Sequence, residues 1–186
     1  NKGKWVMYLN CHSYHSLRYG TIPLEELVVQ AVGCGVTAMA LTDVNTVTGI
    51  YDFIRLFKEV DIKPIVGIEF RCGTSFRYIG LARSAAGLAE MNRFLTHHNF
   101  KELDLPLEAP VFEFVTVIYS LQNAPAQLKS NEYVGIRPEE VVSLFSYKGD
   151  FGKLVIWQPV TFRTKKEYKL HQILRAVDQN ILLTKL

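Results

Sequence analysis

Near its start the chain carries Asn10, Cys11, His12 and His15 within the run YLNCHSYHSLRYG. Imidazole and thiolate are strong ligands for transition metals, so such a cluster raises the question of a metal centre. Two carboxylates could join it: Asp43, in ALTD, and Glu69, in VGIE. Together His12, Asp43 and Glu69 could supply three ligands to one divalent ion (Zn, Mn or Fe), with water completing the shell. A metal-bound hydroxide attacking a phosphoester is the reaction such a set serves. A cluster of two or three metals would need more ligands than the other strand ends offer. WQPVTF has no carboxylate, imidazole or thiolate, and VIYSLQN has only a phenol, a hydroxyl and amides. Spacing alone leaves two other arrangements open. The three residues could form a hydrogen-bonded polar plug, with Asp43 capping the following turn and Glu69 pairing with Arg71 or Arg77. They could also line an unrelated binding cleft.

Residues 12, 43 and 69 are far apart in sequence, and an alternation of strands and helices is what would gather them. WVMYL reads as a strand. PLEELVVQAVGCG reads as a helix with Pro23 at its first position, an inner face of Leu24, Leu27, Val28 and Ala31, and a stop at Gly33 and Gly35. TAMALTD is apolar on nearly every residue, as a parallel strand covered on both faces should be. GIYDFIRLFKEV repeats Ile50, Phe53, Ile54 and Phe57 at helical spacing, which marks Phe53 and Phe57 as core. IKPIVGIEF is a third strand. This βαβαβ order predicts a parallel sheet with right-handed crossovers.

Beyond it, RYIGLA and VFEFVTVIYS read as strands, and SAAGLAEMNRFLTHH as a helix capped by Ser84. EYVGIRPEEVVSLF reads as a strand running into a helix near Pro138, and KLVIWQPVTF as one strand. The last helix, TKKEYKLHQILRAV, opens with a capping box of Thr164 and Glu167. Residues 99–110 and 121–131 are expected as surface loops. About six strands and five helices result, an α/β chain forming either a doubly wound sheet or a small irregular barrel. In either architecture functional groups collect at the carboxyl ends of the strands, where His12, Asp43 and Glu69 lie.

At 186 residues the chain has room for one main core. A net charge of +3 neither argues for nucleic-acid binding nor excludes it. The basic run Arg163 to Lys169 reads as a solvated helix start or, alternatively, as a nucleic-acid surface. No apolar run is long enough to span a membrane, and the start lacks a signal-peptide pattern. The three cysteines, Cys11, Cys34 and Cys72, suggest reduced thiols and a cytoplasmic protein, with Cys34 as a small buried hydrophobe.

The runs LNCHSYHSL, EELVVQAVGCGVTAMALTD and GIYDFIRLFKEVDIKPIVGIEF, in that order and spacing, resemble the PHP (polymerase and histidinol phosphatase) domain. The version resembled is that at the N-terminus of the bacterial DNA polymerase III alpha subunit. The resemblance is strong over residues 7–71, weak in the middle, and returns over 153–183. It implies a distorted (β/α)7 TIM-like barrel and a single PHP domain over residues 7–186, with residues 1–6 either an added leader or native. It also implies a site from which ligands have been lost. The family's His-x-His reads Asn10-Cys11-His12, its Asp-His reads Asp43-Val44, and its Gly-x-Glu is kept as Gly67-Ile68-Glu69. Pro159 and Thr161 stand where a final Asp-x-His belongs, and the family's cysteine ligand near Ser120 is missing. The vestigial site is therefore Asn10, His12, Asp43, Val44, Glu69, Pro159 and Thr161. The cofactor expectation is none, or at most one divalent metal on His12, Asp43 and Glu69.

His15 is expected to face solvent or pack on Tyr14 or Tyr19, though it could instead take the place of Asn10. His97 and His98 are expected to close a helix. The implied role is structural within a replicative polymerase, which would contact DNA through its full length. The implied partners are the remainder of that chain and a replisome proofreading subunit, with no membrane. The alternative is a residual metal-dependent phosphoesterase or 3′-5′ exonuclease using His12, Asp43 and Glu69.

Overall fold

A computed structural model describes residues 6–186. Residues 1–6, added leader or native, lie outside the described residues except for Val6. Strands β1 (Met7–Cys11), β2 (Ala38–Leu41) and β3 (Lys63–Cys72) pair in parallel, joined by helices α1 (Leu24–Gly33) and α2 (Ile50–Phe57). Every residue of β2 is buried, as the unbroken apolar run requires. Leu24, Leu27 and Ala31 of α1 are buried, and Glu25 and Glu26 complement the positive end of its dipole. The helix starts one residue later than expected, because Pro23 keeps an extended backbone and caps it. Phe53 and Phe57 are fully buried, with ring centroids 4.3 Å apart.

After β3 the sheet departs from the all-parallel expectation. A turn at Gly73 and Thr74 returns the chain as β4 (Ser75–Ala82), antiparallel to β3, with Cys72 opposite Ser75. Two residues cannot make the crossover that a parallel pair needs, and Gly73 supplies the positive φ (56°) of a tight hairpin. Helix α3 (Ala85–Lys101) follows, capped by the Ser84 hydroxyl, which accepts from Gly87 N. Residues 99–101 belong to this helix. Leu105 and Ala109, expected on a surface loop, are buried against Phe70, Tyr78 and Tyr119, and so is Phe112, expected in a strand but lying before β5. Strand β5 (Val115–Ser120) pairs antiparallel to β4, and β6 (Glu132–Ile136) pairs parallel to β5.

The expected helix after Pro138 is instead a 3-10 segment, Pro138–Ser146, with no buried residue. The expected single strand KLVIWQPVTF is broken at Trp157 and Gln158 into β7 (Leu154–Ile156) and β8 (Pro159–Val160). Strand β7 pairs with β6 and β8 with β1, so this one segment joins the two ends of the strand order β7-β6-β5-β4-β3-β2-β1-β8. That draws the sheet into a TIM-type curl with the carboxyl ends of β1, β2 and β3 at one mouth. Counting the broken segment once gives seven staves. Helix α4 (Lys165–Gln179) begins at Thr164, whose hydroxyl accepts from Glu167 N at 3.2 Å. Cys34 is exposed rather than buried, because α1 has already ended and the residue sits at its cap. No helix among the described residues is long and apolar enough to cross a membrane.

Candidate functional site

The barrel mouth brings His12 and Glu69 together and adds Asn10, Thr161 and Arg71. Asn10 is completely buried at the end of β1, in register with Pro159 of β8. Its amide nitrogen donates to Glu69 Oε2 at 2.8 Å and to Thr42 Oγ1 at 2.9 Å. Its carbonyl oxygen accepts from Trp157 Nε1 at 3.1 Å. His12 Nε2 lies 2.9 Å from Glu69 Oε2. A carboxylate can only accept, so the imidazole carries a proton on Nε2. Its Nδ1 lies 3.0 Å from the Thr161 hydroxyl. The Arg71 guanidinium donates through Nε to Glu69 Oε1, through Nη2 to the Tyr19 hydroxyl at 3.0 Å, and through Nη1 to Thr74 O at 3.2 Å. Asn45 fixes the backbone of Arg71 by two hydrogen bonds of 2.8 and 2.9 Å.

Burial alone would raise the Glu69 carboxyl. The charges and hydrogen bonds of His12 and Arg71 overcome it and hold the group at about 2. Arg71 is raised in turn: burial pulls it down, but the charge and hydrogen bond of Glu69 and the interaction with Tyr19 together outweigh that pull. Of the two arginines expected as partners of Glu69, Arg71 takes the role. Arg77 donates instead to Leu105 O.

Asp43 turns away from this pair. Its Oδ1 accepts from Ser13 N and Ser16 Oγ, and its Oδ2 from Ser13 Oγ, all at 2.7 Å. Burial pushes its carboxyl up against the pull of these three bonds. Ser16 Oγ also accepts from Val44 N at 3.0 Å, so Val44 contributes its backbone to the mouth. The carboxylate thus pins the loop after β1 to the end of β2. That loop closes tightly: a Cβ on Gly20 would lie 1.7 Å from Ser13 O, so only glycine fits. His15 stacks on Tyr14, with ring centroids 4.3 Å apart, and lies against Gly49. It does not take the place of Asn10, and its Nε2 is buried without a hydrogen-bond partner.

Other candidates stand elsewhere. His97 and His98 lie in the last turns of α3, and His98 Nδ1 donates to Phe94 O at 2.9 Å. Burial, then the Asp43 charge, pushes the Cys11 thiol up and away from the thiolate form. In the basic run, Arg163 is tied to Glu26 and Glu167. A cleft of about 530 Å3 opens over Asn10, Tyr19, Glu69, Arg71, Arg137 and Trp157.

The donor set does not suit a metal ion. Among the described residues no three His, Cys, Asp or Glu side chains are placed to hold one. The lone pairs that would face an ion already accept from Asn10, His12, Arg71, Ser13 and Ser16. Ser13, Ser16, Tyr19 and Trp157 are essential to this network and were not singled out from sequence. Two hydroxyls flanking a histidine in HSYHS, and an indole next to the strand break in IWQP, were the available signals. Thr161, taken from sequence as a lost ligand, is a working partner of His12.

The PHP domain model matches residues 9–180, so this chain belongs to the PHP domain family. Its curated relatives include bacterial DNA polymerases. It is 36% identical over 90 residues to an error-prone DNA polymerase of Symbiobacterium thermophilum, covering 48% of this chain and 8% of that one. It is 37% identical over 74 residues to the DNA polymerase III subunit alpha of Chlamydia muridarum, covering 40% of this chain and 6% of that one. The chain thus spans less than a tenth of these relatives. Among solved structures, an amidohydrolase from Chromobacterium violaceum is 21% identical, with a TM-score of 0.42 over 52% of this chain and 34% of its own.

Proposed function

We propose that this chain is the N-terminal PHP domain of a bacterial replicative DNA polymerase III alpha subunit, spanning residues 7–186 of a longer cytoplasmic protein. Its barrel mouth serves as a structural hub that has given up metal chemistry. Its role is to stabilise the polymerase and to offer a surface to a proofreading exonuclease or another replisome partner. Contact with DNA belongs to the full-length protein.

The observation that carries this reading is the direction of the hydrogen bonds at Glu69. A metal site needs lone pairs pointing at a common centre. Here Asn10 and Arg71 point N–H groups at the carboxylate, and a guanidinium supplies the positive charge that an ion would bring. Three further positions, Val44, Pro159 and Thr161, carry side chains that cannot replace imidazole or carboxylate as ligands. His12, Asp43 and Glu69 remain, but Asp43 is committed to the Ser13 and Ser16 loop.

Two measurements test the reading. The natural reading frame should continue for many times this length and contain the acidic motifs of a polymerase palm. The purified protein should cleave neither a model phosphodiester nor a single-stranded DNA 3′ end with added Zn or Mn. Cleavage abolished by Asp43→Ala would restore the residual-hydrolase reading.

A further inference from the structure

The last helix, α4, leaves an apolar stripe exposed. A surface helix normally turns its apolar stripe to its own core and its charged face to water. On α4 the inward residues are mixed, with Ala176 buried and Leu174 half-buried beside the polar Glu167, His171 and Arg175. Glu167 binds Arg163, and His171 Nδ1 donates to Tyr19 O at 2.6 Å. Arg175, only 8% exposed, lies over the Tyr19 ring and pairs with Asp178. The outer stripe is Leu170, Ile173 and Val177, at i, i+3 and i+7, exposed by 46, 49 and 62%. The turn beyond the helix leaves Leu182 and Leu183 exposed as well. Lys166 and Lys169 flank the start of the stripe and are exposed.

We infer that the Leu170–Ile173–Val177 stripe of α4 is a docking face, covered by an apolar surface with a carboxylate rim supplied by later domains of the same polypeptide. Burying three branched side chains favours such a contact, and the lysines select the charge of its rim. The occupant is sought in the same chain because the matched relatives are more than ten times longer than the segments they share with this one. The inference therefore rests on the polymerase reading above, and it adds to that reading the face through which the domain is held.

Hydrogen exchange on the full natural polypeptide tests it. The amides of α4 should exchange at least about tenfold more slowly than in the variant Ile173→Asp/Val177→Asp, with β1–β3 amides alike in both. If that variant does not fold, the 186-residue chain serves as reference, and its α4 amides should be faster by the same factor. Equal α4 rates in the compared proteins overturn the inference. So does a concentration-dependent dimer of the full polypeptide that Ile173→Asp dissolves, because the occupant is then a second copy. A reading frame no longer than this chain removes the polymerase reading itself. A long one with unprotected α4 amides removes only the docking face.

Discussion

Asn10 donates its amide proton to Glu69 at 2.8 Å, reaching from β1 past the end of β2 to β3. An imidazole at this position would offer a lone pair to a shared ion. The amide offers a proton to the neighbouring carboxylate instead. The two side chains satisfy each other, where a lone pair at position 10 would leave both free to face an ion.

Removing that amide should be costly. Asn10→Ala leaves Glu69, Thr42 and the indole N–H of Trp157 each short of a buried partner. Unsatisfied buried groups cost about 1–3 kcal/mol each, and partial relaxation should leave a net loss of about 2–4 kcal/mol. Urea unfolding measures it, and a change below the scatter of the method would mean the network is slack.

Arg71→Met separates the charge from the chain that carries it, since Met keeps much of the apolar stem. Breaking one side of a buried ion pair typically costs about 3–5 kcal/mol. Glu69 is buried, but Arg71 is partly exposed, so the lower end of that range is expected. The same variant should also shift the acid limb of stability to higher pH, because Glu69 loses one of the groups that hold its carboxyl down.

The wild-type pH dependence follows from the sign of the Glu69 shift. Its folded value, about 2, lies below the ordinary 4.5. The contribution is therefore fully present above pH 4.5 and fades as the pH falls toward 2, amounting to a few kcal/mol in order of magnitude. Asp43 acts with opposite sign. Burial raises it, so its contribution is present at low pH and is lost as the pH rises through its folded value. Urea midpoints measured from about pH 6 to about pH 2 should fall, and should fall more steeply in Asp43→Asn, where the opposing group is gone.

The helix register has its own check. Phe53→Ala should cost about 3–5 kcal/mol, because the ring is fully enclosed and stacks on Phe57. Thermal or urea unfolding close to that of the wild type would mean α2 packs through another face.

The first three strands and two helices were legible because their signals are local and strong. Examples are the all-apolar β2, the i, i+3, i+7 spacing of α2, and the proline before α1. The middle was not legible, because its form depends on tertiary choices. A two-residue turn at Gly73 reverses β4, and the PEEVVSLF segment, which has helical composition, never buries a face and stays 3-10. Leu105 and Ala109 sit in a loop by composition but in the core by packing. In the site, Asn10, Val44, Pro159 and Thr161 were singled out one by one. Their hydrogen-bond network was not visible, because the partners of Asn10, Thr161 and Arg71 lie up to 149 residues away.

Metal titration followed by thermal unfolding tests the central claim most directly. The protein is stripped with a chelator and melted with and without equimolar Zn or Mn, and bound metal is counted after gel filtration. The account predicts an unchanged melting temperature and no stoichiometric metal. A bound ion at one per chain, with a rise in melting temperature of several degrees that Glu69→Gln abolishes, would contradict it.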